Sequence, residues 1–304
     1  MRFARGGCNS DIMICSFSLC CVICYVVKMK NKPETRSSAP NEGAATRFVE
    51  SLLRQGQVTF NLGDLVERTG LSRIAARHQL LRLGKRVVRV APRQEFFLVV
   101  SPEHQVIGAP PAAWWLDAYF RWLGRPYYLA LLSAAAEYGA APQALQVVQV
   151  ITDKPRRPLR LGRVRVEFRV KRDIAVTPVQ QLASAYAPLL VSTRAATVLD
   201  LVRNGSSLGG MQRVTQTLVP LLRDVRRAEL TTALKVEREV ATIQRFGLIL
   251  EILGYSALAD LAHEFLPDKV NKVLLDTGPG SDVSMAGGIG RRWATVVNTR
   301  IAEP

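Results

Sequence analysis

Apolar residues first settle into a helical rhythm at residue 44. Phe48, Val49, Leu52 and Leu53 make one stripe over residues 44–55, and Gly56 ends it. Val58-Thr59-Phe60 is a short extended piece. Asn61 caps a second predicted helix over 62–68, which Thr69-Gly70 closes with a turn. Ser72 caps a third, over 73–83. In that helix Ala76, Leu80 and Leu83 recur at i, i+4 and i+7 and are expected to pack inward, with Arg73, Arg77, His78 and Arg82 largely on the other side. Two apolar runs, 86–90 and 96–100, are separated by Ala-Pro-Arg-Gln-Glu and predict a β-hairpin carrying Arg89 and Arg93. Two helices joined by a glycine turn, the second rich in arginine and followed by a basic hairpin, predict a winged helix-turn-helix domain over 44–101.

Gly108-Ala-Pro-Pro111 reads as a boundary, after which a larger domain is expected over 107–304. Its first predicted helix is 112–123, with Trp114, Trp115, Ala118 and Trp122 available for burial. A second, very apolar one is 127–138, ended by Gly139. Residues 145–151 predict a strand and 159–172 a hairpin. In the hairpin Val164, Val166, Phe168 and Val170 alternate with Arg163, Arg165, Glu167, Arg169 and Lys171, so one face is apolar and the other basic. Further helices are expected over 193–202, 210–224, 228–245, 246–253 and 257–265, and late strands over 270–276 and 293–299. The glycine-rich stretch 278–290 precedes a strand rather than a helix, so it is read as a linker and not as a phosphate loop. The fold class expected is α+β: an N-terminal winged helix-turn-helix followed by a larger mixed α/β domain.

The first 43 residues stand apart. All five cysteines (Cys8, Cys15, Cys20, Cys21, Cys24) lie there, and the rest of the chain has none. A body without disulfides suits a reducing compartment, and a cytoplasmic location is expected. Cys20-Cys21-x-x-Cys24 lacks a second pair and a nearby histidine, so no metal site is expected. Residues 12–27 are apolar but shorter than the roughly 20 residues of a membrane span. No membrane partner is expected, and the segment reads as a disordered or mis-assigned extension.

The chain of 304 residues carries a formal charge of +16. A balance this basic points to an anionic partner, with nucleic acid first. Residues 44–101 hold ten basic and four acidic residues. Here double-stranded DNA is the expected partner, and Ser72, Arg73, Arg77, His78, Arg82, Arg89 and Arg93 are the candidate contacts. Between Lys154 and Arg172 there are nine basic residues and one acid, Glu167. Arg163, Arg165, Arg169 and Lys171 therefore mark a candidate second surface for an anionic partner. No catalytic residues are assigned. There is no Gly-x-Ser-x-Gly, HExxH or P-loop, and His78, His104 and His263 are isolated. Asp153 followed by Glu167-Phe-Arg169 only partly matches an acidic nuclease core, since no lysine stands two residues after Glu167. Neither a cofactor nor an enzymatic activity is expected.

One stretch of the larger domain is distinctive: Leu123-Gly-Arg-Pro-Tyr-Tyr-Leu-Ala-Leu-Leu-Ser-Ala-Ala-Ala-Glu-Tyr-Gly-Ala-Ala, then Gln146-Val-Val-Gln-Val-Ile-Thr, then Thr197-Val-Leu-Asp-Leu-Val. Over about residues 44–300 the chain resembles the AbiEi-type antitoxins of abortive-infection toxin–antitoxin systems. The resemblance implies a winged helix that binds the operon's own promoter and a C-terminal domain with antitoxin activity. The toxin it implies is a nucleotidyltransferase, restrained without a stable complex being required. Residues 1–28 have no counterpart in the family, and Leu83-Gly84-Lys85-Arg86 stands where the wing's turn is expected to begin. The alternative is a free-standing regulator of the same architecture without a toxin.

Overall fold

The computed structural model describes residues 43–141, 145–183, 187–278, 281 and 288–301. The expected N-terminal extension, with its cysteines and apolar run, lies outside the described residues except for Gly43. So does most of the glycine-rich stretch 278–290.

The first elements follow their local signals. Helix α1 (Ala44–Arg54) buries Phe48, Val49 and Leu52. Strand β1 is Thr59–Asn61. Asn61 then caps α2 (Leu62–Thr69) through a reciprocal box, its side chain accepting from the Asp64 N–H while the Asp64 carboxylate accepts from the Asn61 N–H. Gly70 closes α2 in the left-handed region at φ 68°. Ser72 caps α3 (Arg73–Leu83) by accepting from the Ala75 N–H. Strands β2 (Val87–Arg89) and β3 (Phe96–Val99) pair antiparallel, and β1 adds to the other side of β3.

Strand β3 is buried on both faces. Phe97 and Val99 join the core under α1–α3, with Phe48, Leu52, Phe60 and Leu65. Phe96 and Leu98 join a second core, with Val58, Val90, Trp115, Tyr119, Leu129 and Val150. This explains why the run 96–100 is apolar throughout rather than alternating. It also means that the second core is built from both sides of Gly108-Ala-Pro-Pro111.

The expected helix over 112–123 opens instead as a 3-10 turn, Ala112–Trp114, and continues as α4 (Leu116–Leu123). Trp115 takes φ −132° at the break, and its ring is buried with the indole N–H donating to the Pro110 carbonyl at 3.2 Å. The largest departure from expectation follows. Tyr127–Leu129 is strand β4, not helix, and only Leu131–Glu137 is helical (α5). The strand is central. Tyr127 and Leu129 face the second core while Tyr128 faces a third, built of helices. A strand buried on both faces carries no period that separates it from a buried helix.

Strands β5 (Val148–Thr152), β6 (Leu159–Leu161), β7 (Val164–Val170), β8 (Val179–Leu182) and β9 (Leu189–Ser192) complete a six-stranded mixed sheet. Its order is β6-β7-β5-β4-β9-β8. At the β6–β7 turn, backbone meets backbone. A Cβ on Gly162 (φ 57°) would lie 2.1 Å from the Ile107 carbonyl oxygen, and one on Gly108 (φ 88°) would lie 2.9 Å from the Gly162 Cα. The Arg163 N–H donates to that same carbonyl at 2.8 Å.

The helical layer is α6 (Arg194–Arg203), α7 (Met211–Leu222), α8 (Arg227–Val236), α9 (Val240–Ile252) and α10 (Ser256–His263). The helix boundary expected after residue 245 is absent. The chain breaks instead at Glu237-Arg238-Glu239, where Glu237 is extended at φ −77° and ψ 118°. The late strands are shorter than expected: β10 (Val273–Leu274), β11 (Ile289–Gly290) and β12 (Thr295–Val296). Trp293 lies in a 3-10 turn between the last two, its side chain fully buried.

Candidate nucleic-acid interface

Helix α3 divides by face as its spacing predicts. Ala76 and Leu80 are buried and Leu83 is half-buried. Arg73, Arg77, His78 and Arg82 are exposed, as is the capping residue Ser72. Two apolar residues share the outer face, Ile74 at 68% and Leu81 at 77% exposure, where the sequence drew attention only to cations.

The hairpin closes over the start of α3. Glu95, the one acid in the hairpin, accepts from the guanidinium groups of both Arg73 and Arg77. The hydrogen bond from Arg77, with the charges of Arg73 and Arg89 nearby, holds the Glu95 carboxyl below the usual carboxylate range. Arg89 lays its guanidinium 5.2 Å from the centre of the Phe97 ring. Arg93 is exposed at the hairpin turn with φ 64°. The structure thus gathers Arg73, Arg77 and Arg89 around one carboxylate. Arg93 stands at the tip, and His78 and Arg82 lie further along α3. Glu95 as a shared acceptor was not anticipated. Its only signal in the sequence is a lone acid among hairpin cations.

On the large sheet the alternation of β7 holds from Val164 to Phe168 and fails at Val170, which is 45% exposed. Val166 is buried in the second core, with Val164 and Phe168 packed against it. Arg163 and Arg165 are exposed and Arg169 is half-exposed, 4.0 Å from Glu167. The β6–β7 register sets Arg160 directly opposite Arg165. Like charges in a cross-strand pair destabilise, so this pair is not explained by sheet stability.

Lys171 does not belong to that surface, which corrects the expectation. Past the end of β7 the same face is covered by helices, and Lys171 is only 5% exposed. Its Nζ donates to Asp200 Oδ1 at 2.8 Å and lies 3.7 Å from Glu237 Oε2. The Tyr128 hydroxyl donates to Asp200 Oδ2 at 2.8 Å, and Arg203 holds Glu237 Oε1 at 3.0 Å. Burial, and then the neighbouring Asp200 charge, push the Tyr128 hydroxyl well above the ordinary tyrosine range. The break between α8 and α9 is what delivers Glu237 to this cluster. Alternation alone could not foresee it, because its partners are remote in the chain.

The acidic pair considered for nuclease chemistry is not assembled. Glu167 is opposite Gln149 in the β5–β7 register, whereas Asp153 follows Thr152, the partner of Val170. Asp153 is instead paired with Arg125 at 2.7 Å. Among the described residues no group of histidine, cysteine, aspartate and glutamate could hold a metal ion. None of their helices is long and apolar enough to cross a membrane.

Comparison with known proteins finds a family match over part of this architecture. Residues 128–252 match the AbiEi antitoxin C-terminal domain. That span begins in β4, ends with α9, and includes every member of the buried Tyr128–Lys171–Asp200–Arg203–Glu237 cluster. Among solved structures, the crystal structure of the RV2827C protein from Mycobacterium tuberculosis is similar, with a TM-score of 0.60 and 19% identity. The likeness covers 83% of this chain and 90% of that one, and it establishes a shared fold. No curated protein matches the chain.

Proposed function

We propose, from the premise that the chain belongs through residues 128–252 to the AbiEi antitoxins, that it is a DNA-binding antitoxin and the repressor of its own operon. In this reading residues 44–101 are a winged helix. Helix α3 enters the major groove of the promoter, and the β2–β3 hairpin is the wing. The observation that carries the DNA part is the convergence of Arg73, Arg77 and Arg89 on one exposed surface of α3 and the hairpin. Glu95 takes one hydrogen bond from each of Arg73 and Arg77, and in this reading phosphate oxygens and base-edge acceptors of the DNA replace it. Arg93 at the hairpin tip extends the surface, and His78 and Arg82 continue it along α3.

Gel-shift titration tests this. Arg77→Ala is expected to weaken binding to the cognate operator by about 1–3 kcal/mol, the worth of one bidentate base contact. Arg89→Ala is expected to weaken all duplexes alike and to lower the slope of log affinity against log salt by about one. If both variants bind as the parent does, these residues do not contact DNA.

The C-terminal domain, taken as 107–304, counteracts a nucleotidyltransferase toxin. The surface that supports this part is the open basic face of the sheet, Arg163, Arg165 and Arg169, where the Arg160–Arg165 pairing lacks a structural rationale. Val164, Val166 and Phe168 point the other way. The change Arg163→Glu/Arg165→Glu/Arg169→Glu is therefore expected to leave the fold intact and to abolish rescue of growth during toxin expression. Normal rescue by the folded triple variant would reduce the face to a solvated sheet surface.

A further inference from the structure

Between the hairpin tip and the loop joining β5 to β6 lies an open cleft of about 750 Å³. Arg93 and Gln94 form one wall, and Arg156 and Arg157 form the other. Tyr119, from α4, is the floor. Its hydroxyl donates to Gln94 Oε1 at 2.7 Å and accepts from Arg156 Nη2 at 2.8 Å, so it ties the two walls together.

Arg156 is pre-set. Its guanidinium carbon lies 5.5–5.7 Å from the ring centres of Tyr119, Phe120 and Phe168. Pro155 and Pro158 bracket the Arg156-Arg157 pair and restrict its backbone. No carboxylate lines the cleft. The two nearest acids in sequence are both engaged elsewhere, Glu95 by Arg73 and Arg77, and Asp153 by Arg125. Three guanidinium groups thus face one opening without an acidic counterpart among its lining residues. Lys154 and Arg157 are exposed in the same loop.

We propose that this cleft holds the phosphodiester backbone of the duplex beyond the wing, so that the β5–β6 loop of the antitoxin domain is part of the DNA interface. The inference rests on the DNA-binding reading above and adds a second element to it. Arg93 makes the connection, because it is at once the tip of the wing and a wall of the cleft. A backbone passing over the wing tip meets Arg157 and Lys154 next. Contacts of this kind are insensitive to sequence and are read through salt dependence. Tyr119 is fully buried and offers no stacking face, which favours phosphate over a base.

The test uses the full chain with Lys154→Ala/Arg157→Ala, an operator duplex extended on both sides, and a mixed-sequence duplex. Two lost phosphate contacts are expected to make the salt slope shallower by about two on both duplexes. From about 50 to 200 mM salt the parent then loses about tenfold more affinity than the variant. Hydroxyl-radical protection on the flank beyond the wing is expected to disappear, with operator preference and thermal midpoint retained. An unchanged slope and footprint would overturn the inference; Arg77→Ala, run alongside, would still lose operator preference and leave the wider reading standing. If the parent binds neither duplex, the wider reading falls and this one with it. Binding of ATP by the parent, lost in the double variant while the DNA slope stays the same, would make the cleft a nucleotide site and overturn the proposal.

Discussion

Asp200→Ala is expected to destabilise the protein by about 3–5 kcal/mol, the usual result of removing one partner from a buried ion pair. Asp200 is completely buried and accepts from two donors, the Tyr128 hydroxyl and the Lys171 ammonium. Its loss leaves Lys171 with only Glu237 at 3.7 Å and strands the tyrosine O–H without an acceptor. Both groups then keep their desolvation cost and lose the compensating bonds. Urea denaturation followed by circular dichroism is the measurement, with a lower midpoint and an unchanged slope as the expected result. A loss under about 1 kcal/mol would show that water reaches the cluster. Replacing the pair together, Lys171→Met/Asp200→Leu, is expected to restore much of the stability, since apolar substitution removes the charge and its desolvation cost at once. Tyr128 adds a pH limit. Its folded pKa is raised, so its contribution is complete below the ordinary tyrosine value and is lost as pH climbs above it.

Trp115→Ala is expected to cost about 3–5 kcal/mol, the range for emptying a buried tryptophan site. Its location decides what that loss will look like. Trp115 is in the core that joins Phe96 and Leu98 of β3 to Leu129 of β4 and Val150 of β5. The cavity therefore opens between the hairpin sheet and the large sheet. Native-state hydrogen exchange is expected to show the amides of β3 and β4 losing protection together. If β3 kept its protection while β4 lost it, the two sheets would be stabilised independently.

The elements of residues 44–101 were legible because their signals are local. Asn61 and Ser72 cap helices from fixed positions, and Ala76 and Leu80 define the inner face of α3 by spacing alone. Strand β4 was not legible, since Tyr127, Tyr128 and Leu129 are buried on both faces and have no polar phase. The same limit applied to the interface. Exposed cations on α3 and β7 can be read from periodicity, but the alternation that exposes Arg165 predicts an exposed Lys171 as well. Which of them is covered depends on where α6 and the α8–α9 break end up, and that is a tertiary fact. Arg156 was visible as one charge in a basic run. Its distinction, a guanidinium held among three rings, comes from α4 and β7 arriving on the same side of the loop.

The contact of Gly108 with Gly162 has a consequence for any DNA laid across this molecule. Gly108 lies backbone to backbone against Gly162, and the Arg163 N–H donates to the Ile107 carbonyl, so this segment is held against the β6–β7 turn. If that contact is kept when DNA binds, the proposed wing and the β5–β6 loop would stand at a fixed distance, like the two points of a divider. Duplex DNA presents its backbone to one side once per helical turn. On the proposed reading such a pair of contacts would measure helical phase, admitting a flank in register with the groove that α3 would occupy and rejecting one rotated half a turn away.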